Sequence, residues 1–564
     1  MIDNIDNVDC NDIADEKKKL KTFSIHEANL SFVKHIKSYL FQYKHLENIL
    51  NLLLKEQFEL NSNKSFTSEQ VEENKAIFSL LLNPIIMKAV LSSNPGGIKT
   101  KDNVSKVNLY FQNNNLFNQA KLASANLNDK NISMVVRRIK KDWSNYFKSL
   151  KEYIANPSAF SGKPSHPKAK KLSQVFNYSL PLEPSKFSLK KSGCLGINLG
   201  KKMFYVNIGK SIYFKDKIVN NVTVSYSHGH IYYNFTYSYK KQSLPKLVEK
   251  NIPSSKVKKE AGGDVGLNNL MSLFINDETT KSLIFSGKEV ISYNCNFNKR
   301  LAELNELISY EVKSYKEIKD KNGKLVKVPE LYTNKGKSLI KRKSQLFERR
   351  KLFFTDYMNK LSKKIVEYLF HSQVTDLVLS KNLSFTKTDG TIHMQGKTKQ
   401  KFYQIPFGNL LNLIEGKAEE KSINITWINE SYTSKTSSIS AEVVEVQKLA
   451  VIDKNLIKPN DLNGNRGVKR KNDVDNKLGR GLFKDKIINK VINADINAAC
   501  NHIKVAFNHI DKIYLQKYQD KIWKWCNPVK IKSNHEFDKL LKQFSNNQIV
   551  DRQNGSIFYL TNVA

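Results

Sequence analysis

The chain is poor in cysteine, in acid, in arginine and in long apolar runs, and each shortage excludes something. Its five cysteines, Cys10, Cys194, Cys295, Cys500 and Cys526, are spread over 564 residues with no CxxC pair. That excludes a disulfide framework and a cysteine zinc site, and makes a reducing compartment the default. The most apolar stretch, Ala76 to Leu91, is broken by Asn83, Pro84 and Lys88, and it falls short of the roughly 20 residues a membrane helix needs. The opening MIDNIDNVDCNDIADE is acidic and lacks the basic-then-apolar order of a signal peptide. A soluble, cytoplasmic protein without a membrane partner is expected, or a nuclear one if the source is eukaryotic.

The shortage of acid is the most informative. Against 92 Lys and Arg stand 53 Asp and Glu, a formal charge of +39. Self-repulsion of that size points to a polyanionic partner rather than a small-molecule substrate. Only ten of the 92 are Arg, so phosphate contact by lysine point charges is favoured over bidentate reading of bases. At 40% hydrophobic residues the composition is globular. Familiar catalytic patterns are missing too. Gly209-Lys210-Ser211 suggests a phosphate loop, but Phe204 stands where its first glycine belongs, and neither HxxxH nor GxSxG occurs.

Along the chain, residues 1–16 hold six acids and no base, which reads as a solvated tail. Apolar residues at helical spacing, such as Phe32, Ile36, Leu40, Tyr43, Leu46, Ile49 and Leu53, then open a series of predicted helices that runs to about residue 155. Between about 174 and 240 the period falls to two. Val222, Val224 and Tyr226, a turn at His228-Gly229, and Ile231, Tyr233, Phe235, Tyr237 and Tyr239 predict a hairpin within a small barrel. A Lys-rich linker leads into mixed α/β sequence to about 510, and a polar, helical tail follows.

Two stretches concentrate the positive charge. Residues 137–171 carry ten bases and two acids, and 335–364 carry eleven and two. In the first, Trp143, Phe147 and Leu150 fall on one helical face and are assigned to core, so the bases carry the binding signal. In the second, Leu339, Leu346, Phe354, Met358, Leu361 and Ile365 form the apolar stripe of a helix whose other face is cationic. The candidate nucleic-acid contacts are Arg137, Arg138, Lys140, Lys141, Lys163, Lys168, Lys341, Arg342, Arg349 and Arg350.

The α/β part carries three carboxylates in a telling order. Asp264 belongs to a predicted strand at 262–274, after which Asn276-Asp277 turns the chain and Ser282–Phe285 returns antiparallel. A buried strand at 374–380 follows the basic helix. Glu430 ends a strand at 423–430, and Asp495 lies in the first turn of a helix beginning near Ala494. Ala498 and Ala499 are small enough for that turn to lie close on a sheet. Meander, helix, strand, helix, strand, helix is the ribonuclease H order, in which such acids converge. Carboxylates so gathered suit Mg²⁺, a hard cation that takes oxygen ligands. Two ions about 4 Å apart can activate water and stabilise the leaving oxygen in phosphodiester hydrolysis.

Asp264-Val265-Gly266-Leu267-Asn268-Asn269-Leu270, Gln404-Ile405-Pro406-Phe407, Glu430-Ser431-Tyr432-Thr433-Ser434-Lys435, Arg480-Gly481-Leu482-Phe483 and Asn493-Ala494-Asp495-Ile496-Asn497-Ala498-Ala499 occur in sequence. As an ordered set they resemble the TnpB proteins of bacterial insertion sequences, relatives of type V CRISPR effectors and of Fanzor proteins. Upstream, Gly162-Lys163-Pro164-Ser165-His166-Pro167-Lys168 is similar to another stretch of that family. The resemblance implies an α/β multidomain protein with a RuvC, ribonuclease H-like nuclease domain, a helical recognition lobe and a small wedge β-barrel. It implies an RNA-guided, RuvC-type DNA endonuclease with guide RNA and double-stranded target DNA as partners. Mg²⁺, as two ions and replaceable by Mn²⁺, would be held by Asp264, Glu430 and Asp495. A guided DNA-binding regulator without cleavage, or a general nucleic-acid-binding protein, are the alternatives.

The expected divisions are an acidic tail at 1–20, a helical lobe at 21–160 and a barrel at 161–256. A nuclease domain at 257–510, with a basic helical region at 296–371, and a helical tail at 511–564 complete them. Two features depart from the family pattern. Many members place a glutamate where this chain has Leu379-Ser380-Lys381-Asn382, and the Glu-Ser-Tyr-Thr-Ser-Lys pattern assigns that role to Glu430, one strand over. Many also carry a zinc ribbon, whereas residues 437–490 contain no cysteine, so a metal-free, partly mobile insert is expected.

Overall fold

In the computed structural model, residues 18–537 are described except for 27–29, 61–66, 93–99, 161, 171, 173–178, 183–186, 191–192, 201, 209–216, 228–229, 240–258, 278–279, 320–322, 324, 381–395, 441, 459–461, 463, 467–480, 508–521 and 533–535. The acidic segment 1–16 and the His228-Gly229 turn lie outside the described residues. The chain divides into two compact units, Met1–Lys240 and Lys241–Ala564.

The first unit begins with strand β1 (Lys18–His26), then helices α1 (Leu30–Leu60), α2 (Ser68–Leu81), α3 (Pro84–Leu91), α4 (Lys101–Tyr110), α5 (Asn115–Ser124) and α6 (Asp129–Ala155). Strands β2 (Ser179–Leu182), β3 (Phe187–Leu189), β4 (Cys194–Leu199), β5 (Lys202–Asn207), β6 (Lys217–Ser227) and β7 (His230–Tyr239) follow. Helices α2 and α3 meet at 81°, because Asn83 caps α3 and Pro84 begins it. Among the described residues no single helix is long and apolar enough to cross a membrane. The strands form two sheets, β1-β7-β6-β2 and β3-β4-β5. Helices and strands share one hydrophobic core, from Tyr43 and Leu53 of α1 through Trp143 of α6 to Val222 and Phe235 of the hairpin. Strand β1 corrects the sequence reading, which ended a tail at residue 20 and began helices at 21. Lys18–His26 instead pairs antiparallel along the whole of β7 and covers its open edge.

The second unit is built on one six-stranded sheet. Its early elements are β8 (Glu260–Asp264), β9 (Asn269–Ile275), β10 (Leu283–Ser286), α7 (Lys288–Ser309), β11 (Val312–Lys319), β12 (Leu325–Tyr332), α8 (Asn334–His371) and β13 (Asp376–Ser380). Then come α9 (Gly396–Tyr403), α10 (Phe407–Glu420), β14 (Asn424–Ile428), α11 (Val443–Ile452), β15 (Gly464–Arg466), β16 (Leu482–Asp485), β17 (Val491–Asn493), α12 (Ala494–Ala506), α13 (Trp523–Cys526) and β18 (Val529–Ile531). The strand order is β14-β13-β8-β9-β10-β18. Strands β8, β9 and β10 are an antiparallel meander, while β13 runs parallel to both β8 and β14. This is the ribonuclease H arrangement expected from the element order.

Three expectations fail in detail. The single strand expected at 262–274 is two, β8 and β9, which pair antiparallel across residues 265–268. The basic region 296–371 is not continuously helical, since the hairpin β11–β12 interrupts it. The tail is not purely helical either: β18 joins the sheet beside β10 as its sixth strand.

Both faces of the sheet are covered, and alternation along the strands decides which side chain meets which layer. Met271, Leu273 and Ile275 of β9 join a core with Met358 and Ile365 of α8 and Leu410 and Ile414 of α10. Phe274 of β9 points the other way, into a core with Ile496, Ala499 and Ile503 of α12. Helix α12 lies unusually close to the sheet. A Cβ on Gly262 would sit 1.8 Å from the carbonyl oxygen of Ala499 and 3.1 Å from Ile503 Cγ1. That contact involves backbone, so no rotamer change relieves it. Gly262→Ala should therefore lower stability by about 3 kcal/mol or more, read as a lower urea midpoint, whereas Gly408→Ala, with open space around it, should not.

Candidate active site

The site grows from the carboxyl end of β8. Gly262 faces α12, and Gly263 faces the opposite core, where a Cβ would meet Leu379 Cδ2 at 2.8 Å and Met271 Sδ at 3.1 Å. Strand alternation then turns Asp264 to the α12 face. On the neighbouring strand Leu379 is in register with Gly263, so Ser380 comes next to Asp264 and faces the same way. Beyond it, Ser380 is in register with Ile428 of β14, and Glu430 lies two residues further on. The gap is closed by a hydrogen bond from the Ser380 hydroxyl to the Glu430 carboxylate. Asp264 and Glu430 thus flank one buried serine across strands about 4.8 Å apart.

The third acid, Asp495, is fixed from two sides. Asn493 caps α12, its side-chain oxygen accepting from the backbone N–H of Asp495 at 3.0 Å and of Ile496 at 3.1 Å. Asn269, at the start of β9, donates to Asp495 Oδ2 at 2.6 Å. All three acids are half-buried.

Burial pushes the Glu430 carboxyl up from its ordinary range, with the Ser380 hydroxyl pulling the other way. The donors are carboxylate oxygens, the chemistry of Mg²⁺ and not of zinc. Among the described residues no three His, Cys, Asp or Glu side chains are drawn together as an ion-holding group. Oxygens of Glu430 and Asp495 are instead engaged by Ser380 and Asn269, contacts a cation would replace. A cation would also relieve the desolvated charge of Glu430. In donor type the set fits the ion.

Four more residues, to which the sequence reading gave no positioning role, hold this geometry. After Glu430 the chain turns sharply, with Tyr432 at φ 64° and Lys435 Nζ 5.3 Å over its ring. Helix α12 clamps that turn. Asn501 Nδ2 donates to the carbonyls of Thr433 at 2.8 Å and Thr436 at 2.7 Å. Asn497 donates to Thr436 at 2.9 Å and accepts from Ser438 N at 2.8 Å. Asparagines four apart on a buried helix are the signal that could have revealed them. The other two are Ser380 and His502. His502 is fully buried, with Nδ1 3.0 Å from the carbonyl of Gly263, and burial pushes its pKa down to about 4.

The ten basic candidates divide. Arg137, Lys140, Lys141, Lys163, Lys168, Lys341, Arg342 and Arg349 are exposed. Arg138 and Arg350 are half-buried and used within the chain. Arg138 lies 3.9 Å from buried Glu47, which also pairs with Lys170. Arg350 donates to Asn294 Oδ1 at 3.0 Å and to the Gln404 carbonyl at 2.6 Å, between the Phe297 and Phe354 rings. In the insert, α11 reaches back to the site, Gln447 donating to the Asn429 carbonyl at 3.0 Å.

Residues 243–385 match the family model for a probable transposase, OrfB_IS605, and residues 407–502 match that for the Cas12f1-like TNB domain. Over these two segments the chain is similar to those families; the first segment contains Asp264 and Ser380, and the second contains Glu430 and Asp495. No curated protein matches the chain. Solved structures overlap it loosely. A Cas12f1–sgRNA–target DNA complex aligns at 14% identity and TM-score 0.28, over 87% of this chain and 99% of that one. The mini-RNA-guided endonuclease Cas_phi3 aligns at 12% and 0.34, over 87% and 92%. Alicyclobacillus acidoterrestris C2c1 with single-guide RNA aligns at 9% and 0.34, over 82% and 70%. Overlaps at these scores carry no argument about the site.

Two outcomes follow from this geometry. Asn501→Ala strands the buried carbonyl of Thr433, while that of Thr436 keeps Asn497, and should cost about 1–3 kcal/mol, measured by chemical denaturation. His502 is neutral in the fold and has a lowered pKa, so its contribution is complete above about pH 6.5 and is lost as pH falls toward 4, by roughly 3 kcal/mol in all. In His502→Asn, thermal midpoints should fall less steeply across that window than in the parent.

Proposed function

We propose that this protein is an RNA-guided DNA endonuclease whose Asp264, Glu430 and Asp495 form a Mg²⁺-dependent RuvC-type site. The observation that carries the reading is the register at the sheet's carboxyl end. Ser380 stands between Asp264 and Glu430 and binds Glu430, so a carboxylate is supplied where a neutral serine cannot ligate a cation as a carboxylate does. The matches to the probable-transposase model over 243–385 and to the Cas12f1-like TNB model over 407–502 support it, as do eight exposed bases suited to phosphate backbones.

The residues act in distinct ways. Asp264, Glu430 and Asp495 would hold the ion, which when bound activates water and stabilises the leaving oxygen. Asn493 and Asn269 orient Asp495, Ser380 orients Glu430, and Asn497 with Asn501 hold the turn that presents it. The exposed bases bind guide RNA and target DNA through phosphates, leaving sequence choice to base pairing.

Asp264→Ala, Glu430→Gln and Asp495→Ala should each reduce guided DNA cleavage by about a hundredfold or more and leave RNA and DNA binding near the parent level. Full cleavage by Glu430→Gln would refute its assignment. Absence of cleavage by the parent with its RNA would favour a guided DNA-binding regulator. The fold should respond oppositely: burial disfavours the charged form of Glu430, so Glu430→Gln should raise the thermal midpoint at pH 7. That gain should vanish as pH falls through the carboxylate range of about 4.3, since the parent residue is then neutral in both states.

A further inference from the structure

The hairpin β11–β12 has no role in the site, yet it is a conspicuous exposed element of the second unit. Its two eight-residue strands form a sheet of their own. An isolated two-stranded hairpin is marginally stable in water, so one held out from the fold calls for a partner. Its root is firmly built. Thr333 N donates to the Glu311 carbonyl at 3.0 Å, Lys335 Nζ lies 2.8 Å from Glu311, and Gly336 packs against Glu311 so tightly that a Cβ would lie 2.9 Å away. Beyond the root the strands are bare, with Tyr315 56% and Leu325 58% exposed, and just before it Tyr310, at the end of α7, is 75% exposed with its hydroxyl 3.5 Å from Glu306.

Charge identifies the kind of partner. Lys313, Lys316 and Lys327 are exposed on the strands; Lys316 faces Glu330 at 4.0 Å and Lys327 is in register with Glu317, which leaves Lys313 without a facing acid on the partner strand. The first turns of α8, beginning at the root, carry five bases from Lys335 to Lys343 and no acid before Glu348. A second copy of this chain would bring another +39 to that surface, which disfavours self-association. Exposed tyrosine rings beside lysines are what unpaired nucleotides use, with bases stacked on the rings and phosphates near the amines.

We propose that the β11–β12 arm and its root, with Tyr315 on the arm and Tyr310 at the root as stacking platforms, hold an unpaired nucleic-acid strand. This rests on the nucleic-acid reading above and adds a contact surface to it. The test is the affinity of the full chain for fluorescent oligonucleotides of about 20 nucleotides, oligo(dT) and oligo(rU) in parallel, with sedimentation of each variant. Tyr310→Ala/Tyr315→Ala should weaken binding by about tenfold or more, while Tyr310→Phe/Tyr315→Phe keeps the rings and stays within about twofold of the parent. The oligonucleotide that loses affinity tells whether the strand is DNA or RNA. Unchanged affinity in the alanine variant, or an altered sedimentation coefficient in its place, overturns the arm's role and leaves the nuclease reading intact. A parent chain that binds neither oligonucleotide overturns both.

Discussion

The backbone of α12 lies against Gly262, and the geometry of the site depends on that contact. A glycine there lets the carbonyl of Ala499 come where any Cβ would stand. The helix that presents Asp495 is thereby brought onto the strand that presents Asp264. The same closeness lets Asn497 and Asn501 reach the turn after Glu430, and His502 reach the Gly263 carbonyl. One steric allowance thus supports all three acids at the sheet's carboxyl end. Strand pairing alone would align only two of them.

The serine at 380 changes meaning once the register is known. Read along the chain, it is a missing carboxylate. Read across the sheet, it is the spacer between Asp264 and Glu430 and a hydrogen-bond donor to Glu430. The substitution leaves one desolvated carboxylate with a neutral partner, an arrangement that disfavours charge in the absence of a cation. Other buried acids near the candidate site are fully served by donors. Asp485, for instance, is wholly buried yet accepts from Ser437, Ser440 and the N–H groups of Ile487 and Ile488.

Much of this was legible in the sequence, for physical reasons that can be named. Alternation in β6, β7 and β9 and the long apolar stripe of α8 are strong periodic signals, and they describe the elements found. Small residues at Ala498 and Ala499 announced a close helix–sheet contact. The missed elements had weaker local signals. Strand β1 is rich in lysine and gains its order by pairing with β7, and β18 is three residues long and is fixed by β10. The hairpin β11–β12 lies between two helices in a lysine-rich stretch whose charge masks its alternation. Arg138 and Arg350 look like any other bases in a cationic run, because burial of their partners Glu47, Asn294 and Gln404 is a tertiary fact. Asn497 and Asn501 were within reach, since amides four apart on an otherwise apolar helix need buried partners.

The central claim is that Glu430, across Ser380, completes an oxygen site with Asp264 and Asp495. Anomalous scattering from crystals soaked in Mn²⁺ locates the ion directly. A peak is expected within about 2.0–2.6 Å of carboxylate oxygens of both Asp264 and Glu430, lost in Glu430→Gln crystals. Mn²⁺ bound by Asp264 and Asp495 with Glu430 still on Ser380 and no nearer would contradict it.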